Sequence, residues 1–193
     1  MRSPFRCLTG LALVLPALLL RGELANVAGD GIAYSDRPLW GGAPISRLND
    51  SDTATVFHAD TDDTPGLNYT LDLGQDRSIA ELRIFPRQDN CCAERLRNFR
   101  VSVHAEGGGA PGAEVWGQTL HGDGTNPGSA PGTVVTLSLP SPQTGRWIKI
   151  EALDDPPSDY ALQMTELQVL ADVPADQINR ALGKGATANQ PLF

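Results

Sequence analysis

Residues 68–103 read NYTLDLGQDRSIAELRIFPRQDNCCAERLRNFRVSV, and the patterning inside this stretch decides the fold. Apolar side chains tend to recur at every second position over 69–73, again over 79–85 and again over 99–104. That is the period of a strand with one buried and one wetted face. Between the second and third runs lies the polar segment 87–96, which reads as a loop. Outward from here, short alternating runs return at 115–120, 134–139, 146–152 and 162–170, divided by Gly, Pro, Asp and Asn. Runs at this spacing predict an all-β sandwich. The only weak helical candidate is 175–182. Segments 107–112 and 122–132 are rich in Gly but lack the Gly-Lys-Ser/Thr ending that a phosphate loop needs, so both are expected to be hairpin connections.

The two ends of the chain read differently from its middle. Arg2 and Arg6 precede an apolar run from Leu8 to Leu20, interrupted only by Thr9, Gly10 and Pro16. This is the pattern of a secretory leader, too short for a bilayer core of ~30 Å. The expectation is a signal peptide over 1–25, cut after Ala25, and a mature chain that is secreted, extracellular or periplasmic, without membrane insertion. One domain is expected over 26–171, followed by a linker over 172–178. Residues 179–193 (NRALGKGATANQPLF) can be laid on 26–40 (NVAGDGIAYSDRPLW), matching at Asn, two Ala, the Pro-Leu pair and a terminal aromatic. They read as the start of a truncated second repeat, with further copies of the module downstream.

The formal charge is −8 and the basic residues are scattered, so nucleic acid is not an expected partner. His58, His104 and His121 show no zinc-ligand spacing, and no serine sits in a nucleophile elbow. Asp60, Asp62 and Asp63 read as a solvated acidic turn. The chain is therefore not expected to be an enzyme.

Without the leader, two cysteines remain, and they are neighbours. Cys91 and Cys92 should pair in an oxidising compartment. A bridge that spans no loop removes almost no unfolded-chain entropy, so it points to a site more than to a staple. It would form a rigid, apolar knob at a loop tip. Beside it, Arg87 and Arg95 offer planar forks of donors, Asp89 can accept from hydroxyls or hold an arginine, and His58 arrives from an earlier loop. The plainer reading is two thiols beside surface ion pairs of Asp89 and Glu94 with the arginines, worth under ~1 kcal/mol.

NYTLDLG (68–74), RQDNCCAERL (87–96), NFRVSV (98–103), GRWIKIEA (145–152) and LQMTELQVL (162–170) resemble the fucolectin and discoidin (coagulation-factor C-type) group over roughly 26–170. The resemblance implies a galactose-binding-like jelly-roll β-sandwich of about eight strands. In fucolectins a histidine and two arginines bind the sugar while a vicinal disulfide packs on it. The matching positions are His58, Arg87 and Arg95, with Cys91 and Cys92. Fucolectins run Arg-x-Asp-Cys-Cys, whereas here Asn90 is an extra residue after Asp89, and one residue can move a guanidinium by ~3 Å.

The same resemblance implies a structural calcium, held by Ser46, Asn49, Ser51 and Thr55 in one loop and by Thr165 and Glu166 in the last strand. Asn49-Asp50 stands where the family usually has Asp-Gly. The function expected is that of a secreted carbohydrate-binding, lectin-like module for a glycan or polysaccharide, calcium-stabilised and one of a tandem array. The alternatives are a protein-interaction or adhesion module without sugar binding, or the ancillary domain of a larger secreted hydrolase.

Overall fold

A computed structural model describes residues 23–60, 66–153 and 162–174. Its strands are β1 (Glu23–Asn26), β2 (Ile32–Ser35), β3 (Asn68–Pro86), β4 (Phe99–Glu106), β5 (Pro111–Leu120), β6 (Val135–Ala152) and β7 (Met164–Val173). All pairings are antiparallel, in the order β1-β7-β3-β6-β4-β5, with β2 added to β3.

The two long strands each serve both layers of a sandwich. The first part of β3 pairs with β2 and with the second part of β6; its second part pairs with β7 and with the first part of β6. Register shifts between Asp72 and Arg77 and between Ile79 and Glu81 mark where the strands pass from one layer to the other. The local sequence permits this. Gly74 takes φ +75° and donates its N–H to the Asp72 carboxylate at 2.8 Å. Pro140 and Pro142 fall between Ser138 and Gln143, a stretch of β6 with no ladder partner on β3, where the missing N–H costs nothing.

Alternate residues of both layers point inward. Tyr69, Leu71, Val101, Val103, Ile148 and Ile150 from one layer meet Leu82, Ile84, Leu167 and Val169 from the other, all buried. Each such aliphatic or aromatic side chain contributes roughly 1.5–3 kcal/mol on burial.

Several sequence expectations change in detail. Runs 69–73 and 79–85 are one strand, as are 134–139 and 146–152, because bulges keep the chain extended where Gly, Asp and Pro read as turns. The short strands β1 and β2 were not anticipated. The expected leader boundary after Ala25 falls inside β1, where Glu23 pairs with Val173, beyond the expected domain end at 171. Segment 107–112 does join β4 and β5 as a hairpin. Segment 122–132 does not: β5 and β6 are not ladder neighbours, so this connection leaves one layer and enters the other. Residues 1–22, Asp62, Asp63, the helical candidate at 175–182, most of the linker and the repeat at 179–193 lie outside the described residues.

Candidate functional site

Three loops meet at one end of the sandwich, beside the start of β7. The first carries His58. Phe57 is buried, packs edge-on against Tyr69 with ring centroids 5.2 Å apart, and exchanges main-chain hydrogen bonds with Met164 at 3.1 and 3.4 Å. These contacts fix the next residue. The Trp40 N–H donates to the His58 carbonyl at 3.0 Å and the Asp60 N–H to that of Pro38 at 2.8 Å, which lays residues 38–40 along 58–60.

The second loop follows β3 and carries both arginines. Arg87 is forked onto Asp89, with Nε donating to Oδ1 at 2.9 Å and Nη2 to Oδ2, and its Nη1 donates to Gln163 Oε1 at 3.1 Å. Gln163 is buried just ahead of β7, and its own N–H donates to the Arg95 carbonyl at 3.4 Å. One glutamine thus ties together the two arginine-bearing ends of the loop. The Arg87 guanidinium holds the Asp89 carboxyl down to about 2. Arg95 closes a short 3-10 turn, Ala93–Arg95, and buried Leu96 anchors it from behind.

His58, Arg87 and Arg95 line one open hollow of about 660 Å³ together with Trp40, Arg47 and Gln163. Burial, and then the nearby Arg95 and Arg87 charges, push the His58 imidazole below its ordinary value, so at neutral pH the ring is uncharged. Its Nδ1 lies 2.9 Å from the Ala59 carbonyl. The hollow therefore brings together the guanidinium groups of Arg87 and Arg95, an uncharged imidazole and an exposed indole wall, a set suited to a polyhydroxylated ring.

Two expected members sit differently. Neither Asp89 nor the disulfide-bonded pair Cys91 and Cys92 is among the described lining residues; Asp89 acts through Arg87, and the cysteines form the outer turn of the loop. The extra Asn90 is absorbed by a left-handed turn, φ +61°, and donates its N–H to the Ser129 carbonyl at 2.8 Å. Gln88 reinforces the same contact, with Nε2 donating to the Thr133 and Pro86 carbonyls, both at 2.9 Å, while its Oε1 accepts from the Gly132 N–H at 2.6 Å. Connection 122–132 is thus a brace for the arginine loop. Trp40, Arg47 and Gln163 escaped the sequence reading. The one available signal was an aromatic placed before Gly-Gly in a polar loop.

The model of the F5/8 type C domain family matches residues 32–167. This chain belongs to the F5/8 type C family. A comparison with curated protein sequences finds no match. Among solved structures, the lectin domain of lectinolysin complexed with Lewis B antigen is 20% identical, with a TM-score of 0.61 over 77% of this chain and 98% of that one. The family 32 carbohydrate-binding module of C. perfringens NanJ, in complex with galactose, is 21% identical, with a TM-score of 0.58 over 77% and 99%. A fucolectin from the serum of striped bass, Morone saxatilis, is 14% identical, with a TM-score of 0.60 over 79% and 50%. These likenesses establish the fold.

Within this F5/8 type C domain, the loop expected to hold calcium wraps over the middle of β7. Glu166 is fully buried; its Oε2 accepts from the Ser51 N–H at 3.1 Å, while Oε1 has no hydrogen-bond partner among the described residues. Burial, with Asp50 and Asp52 nearby, pushes its carboxyl up to about 7. A buried carboxylate with a spare oxygen, near two further carboxylates of the loop above it, fits a hard cation. Other expected ligands use their side chains otherwise. Asn49 Nδ2 donates to the Ala28 and Gly31 carbonyls at 2.7 and 3.1 Å, the Thr55 hydroxyl to that of Asp52, and the Thr165 hydroxyl to those of Phe85 and Pro86, the last three at 3.2 Å. Ser46 contributes its carbonyl to the Asn49 N–H. Among the described residues no cluster of three His, Cys, Asp or Glu side chains gathers for a metal, and no helix is long and apolar enough to cross a membrane.

Proposed function

We propose that this F5/8 type C domain is a carbohydrate-binding, lectin-like module, without catalysis of its own, that takes a glycan residue in the hollow beside Trp40. The observation that carries the reading is the convergence of His58, Arg87 and Arg95, from separate loops, on that hollow. The arginines donate to hydroxyl and ring oxygens, the His58 ring meets a further hydroxyl, and Trp40 covers the apolar face of the sugar. Asp89 and Gln163 hold Arg87 in place, and the Cys91–Cys92 turn stiffens the rim. Relatives of the same fold complexed with Lewis B antigen and with galactose support a sugar-binding use of the domain. The anchoring of Asn90 on Ser129 favours a built sugar site over a degenerate one.

An open site gains little against the cost of association, so a single module binds weakly and tandem copies supply avidity. Secretion, by way of the amino-terminal leader, brings the module to its glycan. Calcium would be held by Glu166 with oxygens of the 46–55 loop and would supply only cross-linking of that loop to β7. Glycan-array signal that disappears in the combined Arg87→Ala and Arg95→Ala variant is the expected result. Unchanged signal in that variant removes the site.

A further inference from the structure

A second hollow, of about 290 Å³, is lined by Tyr34, Thr70, Gly109, Ala110, Pro111 and Trp147, none of which lines the first. Four elements build it. Tyr34 comes from the edge strand β2, Thr70 from β3, Trp147 from β6, and the remaining three from the β4–β5 hairpin. The Tyr34 and Trp147 rings lie 6.2 Å apart, tilted by 36°, and Tyr34 remains 46% exposed.

The hairpin is held in place by one carboxylate. Glu106 accepts from the Gly109 N–H, from Trp147 Nε1–H at 3.3 Å and from Arg146 Nη1 at 2.6 Å. Arg146 also forks onto Asp72 at 2.6 and 2.8 Å and sits 5.4 Å from the centre of the Trp147 ring. The ions around the hollow are therefore matched with one another and give an ionic ligand no foothold. What the hollow presents is aromatic and aliphatic surface, the Thr70 hydroxyl and hairpin main chain. Its volume is at the lower end of the ~300–1,000 Å³ of ligand pockets. The occupant that fits is neutral, one ring wide, apolar on a face and polar around its edge.

We propose that this hollow is a second carbohydrate subsite, taking one neutral pyranose ring stacked on Tyr34. It works independently of Arg87 and Arg95 and lets a single domain engage a glycan at two places.

The test uses the full chain carrying Arg87→Ala and Arg95→Ala, which silences the first hollow, titrated separately with D-galactose, L-fucose, D-glucose and N-acetylglucosamine and followed by amide and indole NMR. Saturable shifts are expected at Gly109, Ala110 and the Trp147 indole N–H for at least one of the four. Adding Tyr34→Ala should weaken that titration about fivefold, whereas Tyr34→Phe, which keeps the ring, should retain it. No shift at those positions with any of the four sugars overturns the proposal, as does an unchanged titration in Tyr34→Ala. Line broadening that depends on protein concentration alone, and that Ile32→Ser abolishes, would overturn it in favour of pairing between copies of the chain through the 61% exposed Ile32.

Discussion

The Trp40 indole lies against the His58 imidazole, with ring centroids 5.4 Å apart and planes within 25° of parallel, while 57% of Trp40 remains exposed. One residue thus shields the histidine and presents a wall to the hollow. The fixed geometry comes from main-chain pairing of 38–40 with 58–60 rather than from the rings themselves.

Removing that wall separates its two roles. Trp40→Ala should weaken glycan binding about fivefold by calorimetric titration and leave the melting temperature nearly unchanged, because the ring is mostly outside the core. The histidine reports the other role. His58 should titrate below ~6.5 by NMR and move upward in the variant as water reaches the ring. The sign for stability follows. With the folded value depressed, the contribution of His58 is complete above the unfolded value and erodes as pH falls below it, where the unfolded chain takes a proton that the folded ring resists.

Gln88 bonds three main-chain groups across two segments. Gln88→Ala leaves those groups without their partner, at a cost of about 2 kcal/mol in denaturant unfolding. Hydrogen exchange at the Gly132 and Asn90 amides should accelerate by more than at the β3–β6 ladder. Equal acceleration everywhere would mean that the brace is not a local device.

Glu166 sets the pH dependence of the 46–55 loop and of the calcium proposed for it. Its carboxyl, up to about 7 in the fold, ionises near ~4.3 in the unfolded chain. In chelator, its contribution is complete below the unfolded value and is lost as pH rises through 7. A calcium ion bound there would take the place of that proton. The rise in melting temperature on adding calcium should therefore be small at pH 5 and larger at pH 8. Glu166→Gln should abolish the calcium response while retaining the fold. A response to calcium that is the same at both pH values would count against Glu166 as a ligand.

Much of the architecture is legible in local alternation. Tyr69 and Leu71, Leu82 and Ile84, Val101 and Val103 all face the core where their spacing places them. What local reading misses is continuity. The GQDR and LPSPQT segments have turn composition, yet bulges carry the strands through them, because ladder pairing between β3 and β6 on either side outweighs local preference. Strands β1 and β2 are four residues each and have too little pattern to stand out. The site shows the same division. The arginines and cysteines stand in one dense string, and His58 was matched by resemblance. Trp40, Arg47 and Gln163 are single residues brought in by β7 and by loop pairing, so no window of sequence displays them together. The 122–132 connection was misread for that reason too, since its partners, Gln88 and Asn90, lie more than thirty positions upstream.

Glu23 and Val173 are paired across the β1–β7 ladder, so the polypeptide leaves the domain within about 5 Å of where it came in. At the opposite end of β7, Met164 bridges to Phe57 next to the arginine hollow, about 30 Å away along the strand. The domain is thus a pendant: a host chain can carry it as an insertion with almost no change in its own path, and the end that carries the arginine hollow always points away from the point of attachment. Tension along such a chain would load only this short ladder and peel it from its free end, leaving the distal loops at rest.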